Sequence, residues 1–425
     1  MNAQRTKVFY GWWVVAGLCV IMFLSAGLGF YAMGVFVVPL QDEFGWSRGQ
    51  ISVALSLSAL ISGLFGPVAG VLVGRVGARR LMGVGGVMMG VSLGLLGLTR
   101  SLAYFYGMFM VMAAWRASIM IVPVGAVVAN WFDRRRGLAL GFTTAGIGLG
   151  GLVMAPLAAL LINAVGWQKT FFIEGAIVVA MMTPLAAFVI RQRPSDMGLL
   201  PDGVTTSDEH ATRLAEAGRA WSLADAVRTP TFFIVSAAFS LAFATLGAVL
   251  IHVVPFLEDQ GFSRTAAGLI LGLVSGVGVL GKIASGYLAD RMSPRLVTAT
   301  VFLMQAVGLA ILLQSGGSVL GVALFALVFG YSMGAVVALQ PMMAVYCFGM
   351  ASIATILGAM VAVTSVFNAL GPITAGLVYD ATGAYSLIFI VYVAIDCLAA
   401  GLIYFMGREP ARARAFDGAR AEGSE

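Results

Sequence analysis

Residues 261–295 read GFSRTAAGLILGLVSGVGVLGKIASGYLADRMSPR. Between Arg264 and Asp290 this stretch contains a single charged residue, Lys282. An apolar run of this length predicts a membrane-spanning helix, because about 20 apolar residues cross the hydrocarbon core. Lys282 precedes Asp290 by eight residues, a helical rise of about 12 Å, which is farther than a lysine stem can reach toward the interface. We therefore place Lys282 near the middle of the membrane, where a cation costs roughly 2.5–3.5 kcal/mol and needs protein or water around it.

The whole chain has the composition of a polytopic membrane protein. Of its 425 residues, 60% are hydrophobic and only 10% are charged, whereas about 25% of the residues in soluble domains are charged. The three cysteines, Cys19, Cys347 and Cys397, lie in apolar stretches with neither metal-ligand nor disulfide spacing. The sequence has no cluster of metal ligands, carboxylate pair or Ser-His-Asp set, so we expect neither a cofactor nor an enzyme.

The apolar stretches predict an all-α membrane protein with twelve transmembrane helices. Helices are expected because only helices and closed barrels satisfy every backbone polar group within lipid. Each stretch is long enough to cross the hydrocarbon core. The predicted spans cover residues 11–39, 50–73, 81–99, 102–130, 137–164, 170–190, 230–257, 265–289, 296–314, 318–347, 352–379 and 385–406.

Lysine and arginine are distributed unevenly between the two sets of loops. One set holds 19 of the 25 basic residues and the other holds four, while Arg116 and Lys282 lie inside spans. The positive-inside rule assigns the richer set to the cytoplasm. We therefore expect a multi-pass protein of a cell inner (plasma) membrane with both termini cytoplasmic. These loops account for most of the net charge of +6, so binding to nucleic acid is not predicted.

A long polar segment divides the predicted spans into two sets of six. The predicted domains are an N-terminal six-helix bundle at 1–190, a cytoplasmic central loop at 191–229, a C-terminal six-helix bundle at 230–407 and a cytoplasmic tail at 408–425. The two bundles repeat each other at a shift of 216 residues, which places Gly74 opposite Asp290. A parallel six-plus-six repeat is typical of transporters, whose substrate site is expected near the midplane between the halves.

The repeated segments at 70–80 (GVLVGRVGARR) and 286–295 (GYLADRMSPR) resemble the loop motif of the major facilitator superfamily. The resemblance implies the major facilitator fold of two six-helix repeats. In the superfamily an acid occupies the position of Gly74 and helps to latch the outward-facing state, so its absence implies a weaker N-terminal latch. The residues that the resemblance assigns to this conformational motif are Gly70, Arg75, Arg79, Gly286, Asp290, Arg291 and Arg295.

Four further segments resemble the branch that contains monocarboxylate transporters and oxalate/formate antiporters. They are residues 10–13 (YGWW), 43–48 (EFGWSR), 131–141 (WFDRRRGLALG) and 193–198 (RPSDMG). That branch commonly has an arginine for the substrate carboxylate at the position of Lys282. This chain departs from the branch in three ways: Gly278 replaces an acid one turn earlier, span eleven has no cation, and Arg116 is an unusual insertion in span four.

Arg116 and Lys282 are the candidate substrate-binding cations, one in each half. Each lies deep in a predicted span, where an unused charge is costly. A guanidinium offers a planar fork that matches a carboxylate. The alternative for Arg116 is a structural role, bonded to carbonyls or to an acid of the bundle. A dicarboxylate and a single carboxylate shared by both cations are equally compatible with this pair.

Polar side chains on other cavity-lining helices are further candidates for substrate binding. The resemblance places the helices of Tyr31, Tyr331 and Asn368 at the cavity, although aromatic residues in spans also serve ordinary packing. His252 lies about 9 Å inside the end of span seven. Its unperturbed pKa near 6.5 makes it a candidate for substrate binding and for proton transfer, and a packing histidine is the alternative.

Two buried acids complete the candidates for proton coupling. Asp396 is central in span twelve, and Glu174 lies near the predicted external end of span six. The resemblance places both helices at the periphery of the bundle. The two central cations therefore lack an obvious central acid, and an anionic substrate would supply the missing charge. The alternative for Asp396 is a bonded polar group between helices.

These features predict a secondary-active transporter of small organic anions that works by alternating access. The resemblance favours monocarboxylates of the lactate or pyruvate type, moved by proton symport or by anion exchange. The expected partners are the substrate anion, the lipid bilayer and, for symport, protons, and we expect a monomer. The alternatives are a dicarboxylate/formate-type antiporter, an efflux carrier for neutral or amphipathic compounds, and a membrane sensor that does not transport.

Overall fold

The apolar stretches are all helical in the computed structural model, which describes residues 9–46, 48–202, 221–350 and 352–406. Eleven helices in these ranges are long and apolar enough to cross a membrane, and a bent pair of helices supplies a twelfth span. The predicted all-α class with twelve spans is confirmed. The predicted tail at 408–425 and residues 203–220 of the central loop lie outside the described residues.

We number the spans α1–α12 in chain order. The first half contains α1 (Tyr10–Phe44), α2 (Arg48–Leu64 and Gly66–Val76), α3 (Ala78–Leu98), α4 (Leu102–Trp131), α5 (Arg136–Val165) and α6 (Trp167–Val189). The second half contains α7 (Pro230–Asp259), α8 (Arg264–Arg291), α9 (Pro294–Gln314), α10 (Val319–Phe348), α11 (Ile353–Thr382) and α12 (Ser386–Phe405). The largest difference from the predicted bounds is at α1, which continues to Phe44 instead of ending at residue 39.

Three of the first four spans are interrupted part of the way across the membrane. α1 contains a π-helical segment, Gly27–Tyr31, and α2 bends at Phe65. α4 ends its first segment at Ala117 and begins its second at Ile121, so the continuous helix predicted for 102–130 is wrong at this point. Interruptions free backbone polar groups and are tolerated at membrane depth only inside protein or beside water. They therefore indicate a site in the first half.

The same helix pairs pack together in both halves. In the first half α1 packs on α5 and α3 packs on α6, and in the second half α7 packs on α11 and α9 packs on α12. Small residues allow these approaches: a Cβ atom built on Gly146 of α5 would lie 2.2 Å from the carbonyl oxygen of Cys19 on α1. This is the close packing through small residues that membrane helices use.

The two halves contact each other where α5 begins and α8 ends, and we call this end of the bundle the latch end. There α5 packs on α8, and α2 packs on α11. A Cβ atom built on Gly286 would lie 2.0 Å from the carbonyl oxygen of Gly137, and one built on Gly66 would lie 2.8 Å from that of Gly358. Backbones therefore touch directly across the interface. The sequence predicts that the latch end faces the cytoplasm.

The same face of α8 is open toward the opposite end of the bundle. Gly268 precedes Gly286 by 18 residues, or about five helical turns, so both lie on one side of the helix. Among the described residues, no atom lies within 4 Å of a Cβ built on Gly268 or on Gly272. The halves therefore meet at the latch end and diverge along α8 toward the other end.

Replacing Gly286 by alanine is expected to destabilise this arrangement. The added methyl group collides with the Gly137 backbone, and such overpacking costs about 1–3 kcal/mol. The matched control is Gly268→Ala on the same face of α8, where a methyl group meets open space. In thermal unfolding of the purified protein, Gly286→Ala should melt at a lower temperature than Gly268→Ala. Equal melting temperatures would contradict the packing of α5 on α8.

Candidate functional site

Lys282 is a buried cation at the interface between the halves, and no described acid forms an ion pair with it. It lies on α8 and is only 3% exposed. Its Nζ atom lies 3.7 Å from a Cβ built on Gly148 of α5, so the ammonium reaches across to the first half. Within the part of the chain that the structure describes, this ammonium has no hydrogen-bond or ion-pair partner. A desolvated charge in this state favours the arrival of an anion.

Arg116 is the second buried cation, and it is bonded to backbone. It lies in the last turn of the first segment of α4 and is 6% exposed. Its Nη1 donates to the carbonyl oxygen of Gly29 at 3.1 Å, and its guanidinium carbon lies 5.8 Å from the centroid of the Phe30 ring. Both partners belong to the π-helical segment of α1. One donor of Arg116 thus has the structural role, a bond to a backbone carbonyl. The guanidinium has several more N–H donors that a substrate could bind.

One turn of α5 connects the surroundings of the two cations. Gly148 faces the Lys282 ammonium, while a Cβ built on Gly150 would lie 3.0 Å from the backbone nitrogen of Gly27. Gly151 lies against the ring of Tyr31 in the π-helical segment. The segment that binds Arg116 and the ammonium of Lys282 therefore contact the same short stretch of α5. Along α5 the two cations therefore lie at a similar level.

The two candidate tyrosines lie on helices that pack beside the cations. Tyr31 meets Phe30 edge to face, with ring centroids 5.4 Å apart. On α10, the backbone of Tyr331 packs against Gly281, the neighbour of Lys282. Over the described ranges neither hydroxyl has a hydrogen-bond partner in the protein. Both remain candidates for orienting a substrate.

His252 has a partner at each ring nitrogen. Nε2 lies 3.0 Å from the carbonyl oxygen of Pro372 on α11, and Nδ1 lies 3.2 Å from the hydroxyl oxygen of Tyr385. Because a carbonyl only accepts, we assign the hydrogen to Nε2, and Nδ1 then accepts from the tyrosine. In this conformation His252 ties α7 to α11 and to the start of α12. These contacts favour the packing alternative, and its role with substrate or protons stays a prediction.

Asn368 of α11 packs against Gly247 of α7. Its Oδ1 atom is buried, and no described residue donates a hydrogen bond to it. An unpaired buried amide oxygen is costly. Asn368 is therefore available to accept a bond from a substrate or from water, and its predicted role stays open.

The two buried acids differ in how they are satisfied. Asp396 is fully buried, and its Oδ1 accepts a hydrogen bond from Gln305 at 3.4 Å, so it joins α12 to α9. Glu174 is 1% exposed, and neither carboxylate oxygen has a partner among the described residues. In the same part of the chain neither acid forms an ion pair with Arg116 or Lys282. Oδ2 of Asp396 also has no partner among the described residues, so Glu174 is the acid with both oxygens unsatisfied, and the coupling roles of both acids stay predictions.

Asp290 is the hydrogen-bonding part of the latch. Its Oδ1 accepts from the backbone N–H of Gly137 at 2.6 Å, and its Oδ2 accepts from that of Leu138 at 2.8 Å. These N–H groups belong to the first turn of α5, where a carboxylate is favoured by the free donors and the helix dipole. A residue of the second half thus caps a helix of the first half. Beside it, Arg136 donates to Asp133 at 3.3 Å and to the sulfur of Met350 at 2.9 Å.

The other residues of the conformational motif lie around the latch end. Among the arginines, Arg79 donates to the carbonyl of Ala187, Arg295 donates to that of Met406 at 2.9 Å, Arg291 stacks over Tyr287 at 4.3 Å, and Arg75 is exposed. Gly70 packs on the backbone of Ala354 in α11. Gly74 is exposed in open space, and α11 begins at Ile353 with no side-chain cap. Among the described residues, no counterpart of the Asp290 cap is therefore present on the α2–α11 side.

Sequence reasoning missed Asp202, which fastens the central segment to the latch end. Its carboxylate accepts hydrogen bonds from the backbone N–H groups of Asp133, Arg134 and Arg135, the last two at 3.1 Å. Burial raises the pKa of the Asp202 carboxyl, and the three N–H groups oppose this shift. Asp202 therefore orders the turn that leads into α5. Its partners are about 70 residues away in the chain, so no local signal identified them.

Comparison with known proteins supports the same fold. The sequence model of the Major Facilitator Superfamily matches residues 18–372. Monocarboxylate transporter 12 of Homo sapiens is 24% identical over 413 residues, covering 90% of this chain and 77% of that protein. The uncharacterized MFS-type transporter YcxA of Bacillus subtilis (strain 168) is 25% identical over 391 residues, covering 89% and 91%. A crystal structure of FucP, an MFS transporter in the outward conformation, matches with a TM-score of 0.69 at 13% identity, covering 93% and 98%.

Removing or adding an acid at the latch end is expected to change how often the two halves separate there. Asp290→Ala removes two hydrogen bonds to a charged group, each worth about 1.5–3 kcal/mol, whereas Gly74→Asp adds an acid near the uncapped start of α11. Spin labels on cysteines at the exposed positions Arg134 and Met292, in a background without the native cysteines, report the distance between the halves.

We expect longer distances for Asp290→Ala than for the parent, and a narrower, short-distance population for Gly74→Asp. An unchanged distance distribution in Asp290→Ala would show that the cap does not hold the halves together.

Proposed function

The chain belongs to the Major Facilitator Superfamily, and from this premise we propose that it is a secondary-active transporter of small organic anions, with monocarboxylates as the first substrate class. The family match over residues 18–372 confirms the predicted resemblance and makes the protein a membrane transporter rather than an enzyme. Relatives named as monocarboxylate transporters support the substrate class. The fold is shared with MFS transporters of known structure.

The unpaired ammonium of Lys282 carries this proposal. A lysine that is 3% exposed between two membrane-embedded halves, with no acid partner among the described residues, lacks the counter-charge that such burial requires. A carboxylate supplies that charge. Arg116, at a similar depth in the first half, adds a second positive group with a planar fork that suits a carboxylate. Neutral compounds would leave both charges uncompensated.

Transport by alternating access follows from the two ends of the bundle. The anion enters on the side where α8 shows its open face at Gly268 and Gly272. Binding between Lys282 and Arg116 draws the halves together there, and the latch at Asp290 must then release. The protein works as a monomer in an inner membrane, with the latch end and both termini in the cytoplasm.

The site allows substrate transport to be coupled either to protons, as symport, or to a second anion, as exchange. Glu174 is the buried acid whose oxygens have no partner in the described ranges, so it is the first candidate to carry a proton in symport. Anion exchange requires no titratable acid, because the returning carrier keeps an anion between its two cations. His252 and Asp396 already have hydrogen-bond partners and are the weaker candidates.

Lactate and pyruvate are expected to raise the melting temperature of the purified protein, because a ligand that binds only the folded state stabilises it. Lys282→Gln should weaken this binding by at least about tenfold, since the lost charged bond exceeds 1.4 kcal/mol, and Lys282→Arg should retain part of it. Lys169→Gln is the matched control, because it removes the same charge from an exposed position at the start of α6.

Oxalate and malonate in the same assay separate the two charge classes. Stronger shifts with these dianions would favour a dicarboxylate. The absence of a shift with every small carboxylate would contradict the proposed function.

Uptake of labelled lactate into proteoliposomes is expected to fall by at least about tenfold in Lys282→Gln and in Arg116→Gln, because each variant loses a charged bond to the anion. Symport predicts uptake driven by an inward proton gradient and lost in Glu174→Gln. Exchange predicts uptake that requires unlabelled lactate inside and ignores the gradient. Transport that survives neutralisation of both cations would favour the carrier for neutral or amphipathic compounds instead.

A further inference from the structure

The π-helical segment Gly27–Tyr31 of α1 forms the direct support of the buried Arg116. Its π-type bond runs from the backbone N–H of Ala32 to the carbonyl oxygen of Gly27, at 2.8 Å. Single π-helical turns inside α-helices occur frequently at functional sites. The turn therefore breaks the regular winding of α1 at the level where Arg116 donates to Gly29.

Because Gly29 has no side chain, the aliphatic part of Arg116 packs directly on its backbone. A Cβ atom built there would lie 2.6 Å from Cε of Met89 and 3.6 Å from Cδ of Arg116. The guanidinium above it forms one hydrogen bond, to the Gly29 carbonyl at 3.1 Å, and no ion pair with any described acid. A neutral carbonyl thus holds a buried full charge that it does not neutralise.

A carboxylate is a stronger partner for this guanidinium than a carbonyl is. A carboxylate brings the opposite charge and two oxygens that can bond the guanidinium fork bidentately, whereas a carbonyl offers one neutral acceptor. We propose that the Gly29 carbonyl is a placeholder ligand of Arg116, which a substrate carboxylate displaces, and that losing this bond releases the π-helical segment of α1. The proposal rests on the proposed function, since the displacing group is the transported anion.

Release of this segment reaches the second cation through α5. Gly150 packs on the backbone of α1 at Phe23 and Gly27, and Gly148, two residues earlier, faces the ammonium of Lys282. A ligand shifts a conformational equilibrium only by binding its two states differently. The carbonyl-bound and released forms of Arg116 provide that difference for anions and provide none for neutral compounds.

Hydrogen exchange measured by mass spectrometry on the full-length protein in nanodiscs tests this inference at residues 27–32, with lactate as the probe. We expect lactate to speed exchange there by at least about tenfold, as the loss of one hydrogen bond from a charged group implies. Arg116→Gln should show the faster exchange already without lactate, and added lactate should change nothing further. Arg116→Lys, which keeps the charge on a shorter stem without the fork, should behave in the same way.

Two variants serve as controls in the absence of lactate. Lys282→Gln should exchange as the parent does at residues 27–32, because it leaves the Arg116–Gly29 bond in place. Gly34→Ala, in open space on the same helix, should also match the parent.

Unchanged exchange in Arg116→Gln and Arg116→Lys without lactate, or slower exchange in the parent with lactate, would overturn the inference. A parent protein whose melting temperature rises with lactate while residues 27–32 exchange unchanged would overturn the inference and leave the proposed function standing. A parent whose melting temperature does not respond to any small carboxylate would overturn the proposed function, and the displacement by substrate with it.

Discussion

A positive charge that is buried away from water is costly unless an opposite charge lies beside it. Lys282, at the interface between the two halves, places this constraint on the structure. The ammonium is buried, reaches toward the other half at Gly148, and has no acid partner in the described chain. Continuous burial without compensation would cost more than most single interactions in a folded protein contribute. Under the proposed function the same charge gives selectivity, because an anion relieves this cost and a neutral compound does not.

α5 is the helix through which this constraint acts on the rest of the bundle. Glycines on one side of it touch the backbone of α1, and glycines at its latch end touch the backbone of α8. Side chains between these helices would cushion small movements, whereas direct backbone contact transmits them. Backbone contacts therefore connect the segment of α1 that binds Arg116, through α5, to the part of α8 that carries Lys282, although the two cations belong to different halves.

Features that follow from the length and charge of each apolar stretch can be predicted from the sequence. Contacts between residues far apart in the chain cannot. The number of spans follows from apolar length, and the structure agrees. The depth of Lys282 and Arg116 in the membrane follows from charge spacing and stays a prediction, and both side chains are buried. The π-helical segment and the break after Ala117 were missed because both have helical composition; the nearby Gly27 and Gly29 were the available signal. His252 had a plausible chemical role from its pKa alone, but Pro372 and Tyr385, which hold it, lie more than 100 residues away.

The latch and the buried ammonium of Lys282 share one helix, so under the proposed function an anion that binds at Lys282 acts on the helix that holds the two halves together. Lys282 and Asp290 are eight residues apart on α8, about 12 Å along its axis. Movement of α8 toward an anion therefore pulls directly on the carboxylate that caps α5. On the α2–α11 side, where Gly74 takes the place of an acid, the described residues pack closely, and no carboxylate among them caps α11. The contact that contains the Asp290 cap is thus the one that lies on the same helix as the buried ammonium of Lys282.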